Sequence, residues 1–304
     1  MAEKARYIHH HRQELGGISK GCRNMKMPRS TYYYQFKKTS GFQEKKDLAL
    51  REKIEQVRLD FPCYGYRKLR HHFLREGARI NEKRIRRVVR KYDLFPVFWG
   101  KKFKVQTTQS DHDLPVFPNH LKGVVETAIN QVWVADITYI RILACFVYLA
   151  AILDRFSRKV IGWAVSKRLD RELSLHALRM ALEQRNPPTG CIHHSDRGVQ
   201  YACWDYVSLL QEKGFKISMS RTGNPYDNAH AESFFKTLKY EEVHLFNYET
   251  FEEVLQRLPY FIEEVYNKKR LHSSIGYMPP EEFERQTASK SLTEIAGKPI
   301  LFLE

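Results

Sequence analysis

No stretch of this 304-residue chain approaches the roughly 18 consecutive apolar residues of a membrane span. The opening Met1-Ala-Glu-Lys-Ala-Arg6 has no apolar core of the secretory kind, so a cytoplasmic protein is expected. Cysteine is sparse and scattered: Cys22, Cys63, Cys145, Cys191 and Cys203, an odd number with no Cys-x-x-Cys pair. That pattern excludes a disulfide framework and a zinc knot and fits reduced thiols. There is no internal repeat, no low-complexity tract and no sustained heptad. Acids are short in the front of the chain only. Residues 1–125 hold 29 Lys and Arg against 12 Asp and Glu, whereas residues 126–304 hold 22 against 23. Nearly all of the net charge of +16 therefore lies in the front. Such asymmetry points to a nucleic-acid-binding front joined to a neutral domain.

The front reads as helical. Ile18–Met25, a turn at Lys26-Met-Pro28 and Arg29–Phe36 suggest a helix-turn-helix over residues 1–42, with a plain helical hairpin as the alternative. His9-His10-His11 has no partner ligands at workable spacing and reads as a solvated patch. Over 43–93 three helices are expected. The first carries Leu48, Ile54 and Val57 inward, and the second, Tyr66–Arg75, carries Leu69, Phe73 and Leu74. The third, Glu82–Tyr92, is capped by Asn81 and striped by Ile85, Val88 and Val89. Its outer face holds Lys83, Arg84, Arg86, Arg87, Arg90 and Lys91, with no acid between Glu82 and Asp93 to pair within the helix. Arg84, Arg87, Arg90 and Lys91 are accordingly candidates for phosphate contact. Residues 94–125 lose periodicity and read as a linker.

Beyond residue 126 the pattern changes. Gln131–Arg141, the apolar run Cys145–Leu153 and Lys159–Val165 make three antiparallel strands. A helix over Arg171–Gln184, a strand over Cys191–Asp196, a helix over Tyr201–Lys213 and a strand over Phe215–Ser220 follow. The expectation is an α/β unit, a mixed five-stranded sheet with flanking helices, preceded by an all-α basic domain. A helix starting near Asp227 or Asn228 carries Glu232, and another runs from Phe251 to Lys269, bent at Pro259.

Three acids fall at special places. Asp136 lies in the strand-like Trp133-Val-Ala-Asp-Ile-Thr-Tyr139. Asp196 ends the strand of Cys191-Ile-His-His-Ser-Asp-Arg-Gly198, and Glu232 follows after 35 intervening residues. Strand tips are where sheet proteins gather their chemistry. Taken singly, each acid has a plainer reading: an edge-strand residue, a turn cap, a first-turn helix acid. Together they could hold two divalent ions about 3.5–4 Å apart, which clamp both oxygens of an in-line phosphoryl displacement. Magnesium suits such sparse carboxylate sites. Lys236 and Lys239 lie within about 40° of Glu232 around its helix and could hold DNA phosphates. Asp154 and Asp170 fit local turn and cap roles better, and His193 and His194 fit packing.

Val134-Ala-Asp-Ile-Thr-Tyr139, His194-Ser-Asp-Arg-Gly-Val-Gln-Tyr201 and Gly223-Asn-Pro-Tyr-Asp-Asn-Ala-His-Ala-Glu-Ser-Phe-Phe-Lys-Thr-Leu-Lys239 closely resemble the catalytic blocks of IS3-family insertion-sequence transposases. The tail Tyr266-Asn-Lys-Lys-Arg-Leu-His-Ser-Ser-Ile-Gly-Tyr-Met-Pro-Pro280 and the front Tyr64-Gly-Tyr-Arg-Lys-Leu69 extend the likeness over nearly the whole chain. The resemblance implies an RNase H-like integrase core over 126–245, with a C-terminal helix and tail over 246–304 packed on it. It implies cleavage at element ends and transfer of a 3′-OH to target DNA, using two Mg²⁺ ions, with Mn²⁺ as a substitute. Asp136, Asp196 and Glu232 match the DDE triad, and Lys239 matches a basic position seven residues after the Glu. Arg221 and Asn224 join Lys236 and Lys239 as expected DNA contacts. The partners implied are element-end and target DNA and further copies of the chain on DNA in the bacterial nucleoid. Members of the family also work fused to an upstream helix-turn-helix and leucine-zipper segment. The competing readings are a DNA-binding regulator with an inert core and a nonspecific nuclease.

Overall fold

The computed structural model describes residues 1–39, 42–97, 114–143, 145–221 and 228–296, without the side chains of 36–42 and 290–296. The chain forms two compact units, Met1–Val97 and Phe98–Glu304.

In the first unit, α1 (Ala2–His10), α2 (Ile18–Asn24) and α3 (Arg29–Thr39) meet around Ala5, Ile8, Cys22, Met27 and Tyr32. The sequence reading omits α1, in which only Ala5 and Ile8 are buried, too few positions to display a period. A Cβ on Gly21 would stand 2.9 Å from Ile8 Cγ2, so glycine permits α1 and α2 to approach. Helices α4 (Phe42–Asp60), α5 (Tyr66–Arg75) and α6 (Glu82–Lys91) bury Leu50, Ile54, Val57, Leu69, Phe73, Ile85 and Val88. Leu48 and Leu74, expected inward, are 40% and 43% exposed. Leu50, Ile54 and Val57 form the i, i+4, i+7 row, and Leu48 lies off it. Asn81 caps α6 as expected, its side chain accepting from Lys83 N at 2.8 Å.

The second unit is built on β1 (Val132–Arg141), β2 (Phe146–Asp154), β3 (Val160–Ser166), β4 (Ile192–Ser195) and β5 (Lys216–Met219). Their order in the sheet is β3-β2-β1-β4-β5. The first three strands pair antiparallel; β4 joins β1, and β5 joins β4, in parallel. Parallel neighbours require crossovers, supplied by α7 (Arg171–Gln184) and by α8 (Val199–Ala202) with α9 (Trp204–Glu212). This is the expected mixed sheet with flanking helices. The single helix expected over Tyr201–Lys213 is instead broken at Cys203, which is extended (φ −67°, ψ 147°).

Strand alternation sorts the two faces. Trp133 and Ala135 of β1 pack with α7 and α9 through Leu173, Leu178, Tyr206 and Leu210. Val132 and Val134 face α10 (Ala229–Leu238) through Ala231, Phe234 and Leu238. A Cβ on Gly162 of β3 would meet Ala181 Cβ at 2.7 Å, so α7 lies directly on that strand. Residues before β1 also join these cores: Leu114 and Phe117 on one face, Leu121 and Val124 on the other.

Behind α10 the helix widens into a π turn over Lys239–Val243, followed by α11 (His244–Phe246). Helix α12 (Phe251–Tyr260) contains Pro259 and passes into a second π segment, Phe261–Tyr266. Leu255, expected in its buried stripe, is 46% exposed. Asn267 then bonds both backbone groups of Val160 on edge strand β3, donating to its carbonyl at 2.9 Å and accepting from its N–H at 3.0 Å. The last helix, α13 (Pro280–Ala296), is held by Glu284, which accepts from Ser157 Oγ at 2.6 Å and from Arg185 at 2.7 and 2.8 Å. Among the described residues no helix is long and apolar enough to cross a membrane.

Candidate active site

Strand register sets the first two acids side by side. β1 and β4 pair Val132 with Ile192 and Val134 with His194. Carried two residues further, the same offset sets Asp136 opposite Asp196. Asp136 shares the pleat parity of Val132 and Val134, so it belongs to the face covered by α10, the helix that carries Glu232. The N-terminus of that helix is tied to the strand beside Asp136: Asn228 Nδ2 donates to the carbonyl of Ala135 at 3.0 Å. Asn228 is the N-cap residue, as the sequence suggested, but its side chain spans to β1 rather than capping the helix.

The charges of both other acids reach Asp136. Burial, then the charge of Asp196 and, more weakly, that of Glu232 hold the Asp136 carboxyl well above the ordinary carboxylate range. The Ile137 N–H, donating to Asp136 Oδ1 at 2.8 Å, and the Lys239 ammonium work in the opposite direction. Asp196 and Asp136 line one shallow cleft with Thr138, Tyr148, Gln200 and Tyr201. Glu232 stands outside that cleft on the exposed side of α10. Asp196 also makes the plainer contact, accepting from Gly198 N at 2.9 Å.

Lys239 is half-buried, and burial lowers its pKa while the Asp136 charge raises it. Its Nζ lies 4.2 Å from the centroid of Tyr139. Lys236 and Arg221 are exposed, on α10 and just past β5. Asn224 lies outside the described residues. In the first unit, Arg87 reaches Asp47 Oδ1 at 2.6 Å, Arg84 donates to the Lys46 carbonyl at 2.7 Å, and Lys91 lies 3.6 Å from Glu44. The sequence reading found no acid to neutralise these cations because their partners come from α4, not from α6. Arg90 is exposed.

Several neighbours of the acids escaped the sequence reading. Tyr139 and Asn228 stood within the quoted motifs, but only the fold reveals what each touches. The Tyr201 hydroxyl is buried with no hydrogen-bond partner among the described residues. Burial, then Tyr206 and the two nearby aspartates, push its pKa well up. His194 packs between Ser218 (2.8 Å) and Ser220 (3.0 Å), and burial holds His193 down to about 3. Both are packing histidines, as expected. Asp154 accepts from the backbone of Asn130, Phe156 and Ser157, and Asp170 from Leu173, each in the local role expected.

The donor set suits a hard cation. It is all oxygen, and Asp136 bears carboxylate repulsion that a divalent ion would relieve. Among the described residues no three His, Cys, Asp or Glu side chains stand close enough to hold one ion together. Magnesium usually takes only one or two protein carboxylates and keeps several waters, which the Asp136–Asp196 pair can accommodate.

A sheet of this order with one acid inside β1 and another just past the end of β4 defines an integrase-type core, and the family profiles agree. Profiles for an integrase core domain match residues 126–225 and 213–280, and one for an HTH-like domain matches residues 45–102. The chain is 33% identical to the transposase InsF for insertion sequence IS3A of Escherichia coli (strain K12), over 92% of its own length and 98% of the relative's. It is 38% identical to an uncharacterized 31 kDa protein of insertion element IS600 from Shigella sonnei, over 87% and 97%. The catalytic core domain of HTLV-2 integrase, solved in complex with magnesium, aligns at 13% identity and a TM-score of 0.40, over 52% of this chain and 98% of that one. The chain belongs to the IS3 family of insertion-sequence transposases.

Proposed function

We propose that this chain is a DDE-type DNA transposase that cuts at the ends of its element and joins the freed 3′-OH to target DNA. Asp136, Asp196 and Glu232 are its catalytic, metal-holding residues. One observation carries the reading. The charges of Asp196 and Glu232 both act on the buried Asp136 carboxyl, a repulsion that a divalent cation would relieve. Two Mg²⁺ ions, or Mn²⁺ in their place, would activate the nucleophilic oxygen and stabilise the charge of the phosphoryl group.

The residues of the chain supply positioning. Asp136 sits within β1 and Asp196 follows directly on the end of β4, which pairs with β1, so the sheet brings the two acids together. Asn228 fixes the start of α10 to β1 and so sets the depth of the helix that brings Glu232. Exposed Lys236 and Arg221, with Asn224, contact DNA phosphates, and Lys239 reaches in beside Asp136. The first nucleophile is water, and the second is the 3′-OH it releases. Each oxygen bonds to phosphorus as the opposite P–O3′ bond breaks, and the departing 3′ oxygen keeps the electron pair and takes up a proton. Joining exchanges one phosphodiester for another, so it needs no nucleoside triphosphate and no covalent enzyme intermediate. Pairing two element ends requires at least two copies of the chain, and an upstream helix-turn-helix and leucine-zipper segment is a further partner.

The test is strand transfer with purified protein, a labelled duplex ending in the element's own exposed 3′-OH, target plasmid and Mg²⁺. Wild type yields joined product, and Asp196→Asn yields none while still binding DNA. If wild type binds without joining, even when fused to the upstream segment, the chain is a regulator instead.

A further inference from the structure

The six cations of α6 share one arc of about 160° around the helix, but they divide by what stands beside them. At about 100° per residue, Arg84, Arg87 and Lys91 make a stripe on one side of the arc and Lys83, Arg86 and Arg90 a stripe on the other, their centres about 100° apart. The apolar stripe of Ile85, Val88 and Val89 lies on the opposite, buried side of the helix.

The two stripes meet different chemistry. On the first, Arg87 bonds the Asp47 carboxylate at 2.6 Å, with Arg84 at 3.8 Å and Lys91 at 4.0 Å from it; Lys91 also lies 3.6 Å from Glu44. Asp47 is 3% exposed, so these cations balance a buried negative charge on α4. Moving them to DNA phosphates would leave that carboxylate uncompensated. On the second stripe, Lys83, Arg86 and Arg90 are exposed, and no carboxylate among the described residues lies within ion-pair reach of them. Beside this stripe stands Tyr66 of α5. The guanidinium of Arg86 lies 5.0 Å from its ring centroid and that of exposed Arg67 lies 5.2 Å away. One aromatic ring thus gathers an arginine from each helix, and Arg90 extends the row by one turn.

We propose that the DNA-contacting surface of the first unit is the Lys83–Arg86–Arg90 stripe with Arg67, and that Arg84, Arg87 and Lys91 brace α6 against α4. This rests on the reading of the chain as a DNA-binding transposase. The partner is the phosphate backbone of duplex DNA, which a row of exposed, acid-free guanidiniums fits.

The experiment measures anisotropy of a fluorescein-labelled, mixed-sequence duplex titrated with the full-length protein at a series of salt concentrations. Arg86→Ala with Arg90→Ala should weaken binding about tenfold or more at low salt and reduce the slope of log K against log salt by about 2, near 0.9 for each phosphate left without its arginine. Both side chains are exposed, so the melting temperature of the double variant should match wild type. Arg87→Ala should lower the melting temperature and leave the slope unchanged. A double variant with the wild-type slope, or an Arg87→Ala slope reduced as far as that of the double variant, overturns the assignment. Wild type without salt-dependent affinity would instead overturn the underlying reading of a DNA-binding chain.

Discussion

Burial, Asp196 and Glu232 all raise the pKa of Asp136 in the folded protein. The folded state therefore binds that proton more tightly than the unfolded state does. The stability this contributes is complete below the ordinary carboxylate range, and it is lost as pH rises through the raised value. At neutral pH without metal, Asp136 should be a destabilising residue. Asp136→Asn keeps an oxygen for the Ile137 N–H and removes the charge. In metal-free buffer near neutrality it should melt several degrees above wild type, and the difference should vanish below about pH 4. Added Mg²⁺ should raise the wild-type midpoint and leave that of the variant nearly unmoved. Identical metal-free melting curves across the pH range would refute the repulsion. The three acids could be singled out in the sequence because each stands in a recognisable run. The Tyr139–Lys239 contact and the Asn228 tie to Ala135 were not, because each depends on how α10 lies across β1.

Elements with a strong local pattern were also legible. The apolar runs of β1 and β2 and the caps of α6 and α7 follow from residues within a few positions of one another. Elements that owe their form to distant partners were not. The π turn at Lys239–Val243 presents Glu241 to Arg270 at 2.7 Å and Glu242 to Arg257 at 2.8 Å, pairings that sequence spacing does not reveal. Asn267 is the clearest instance. In sequence it belongs to a polar tail motif, yet it is fully buried and completes edge strand β3 from 107 residues away. Asn267→Ala would leave a buried N–H and a buried carbonyl of Val160 unpaired, at about 1–3 kcal/mol for each group. Denaturant unfolding should therefore show a loss of roughly 2–5 kcal/mol. Asn267→Asp restores the acceptor but not the donor and should recover only part of it. A loss under about 1 kcal/mol for the alanine variant would mean that water replaces the amide.

Across the whole molecule, charge and packing mark different boundaries. The excess positive charge ends near residue 125, and the integrase-core match begins at residue 126. Packing begins earlier. Leu114 and Phe117 join the core beneath α7 and α9, Leu121 and Val124 join the core beneath α10, and His120 N donates to Ser218 Oγ at 2.9 Å. Ser218 in turn contacts His194, two residues before Asp196. Polar composition and two prolines made this stretch read as a linker: Leu114, Phe117, Leu121 and Val124 are spaced as on a helix, but Pro115, Pro118 and Gly123 between them break any helix, and the two pairs enter different cores. A fragment of residues 114–304 should therefore fold and melt cooperatively, whereas one of residues 126–304 should lose on the order of 3 kcal/mol through exposure of those side chains. Both fragments lack the basic front, so their affinity for duplex DNA should be weak and its salt slope shallow. The longer one should nonetheless keep the Mg²⁺-dependent rise in melting temperature, because the acids and their supporting strands are intact. Equal stability of the two fragments would show that residues 114–125 merely rest on the core, and a flat response to Mg²⁺ in the longer fragment would show that the acids need the front of the chain to hold metal.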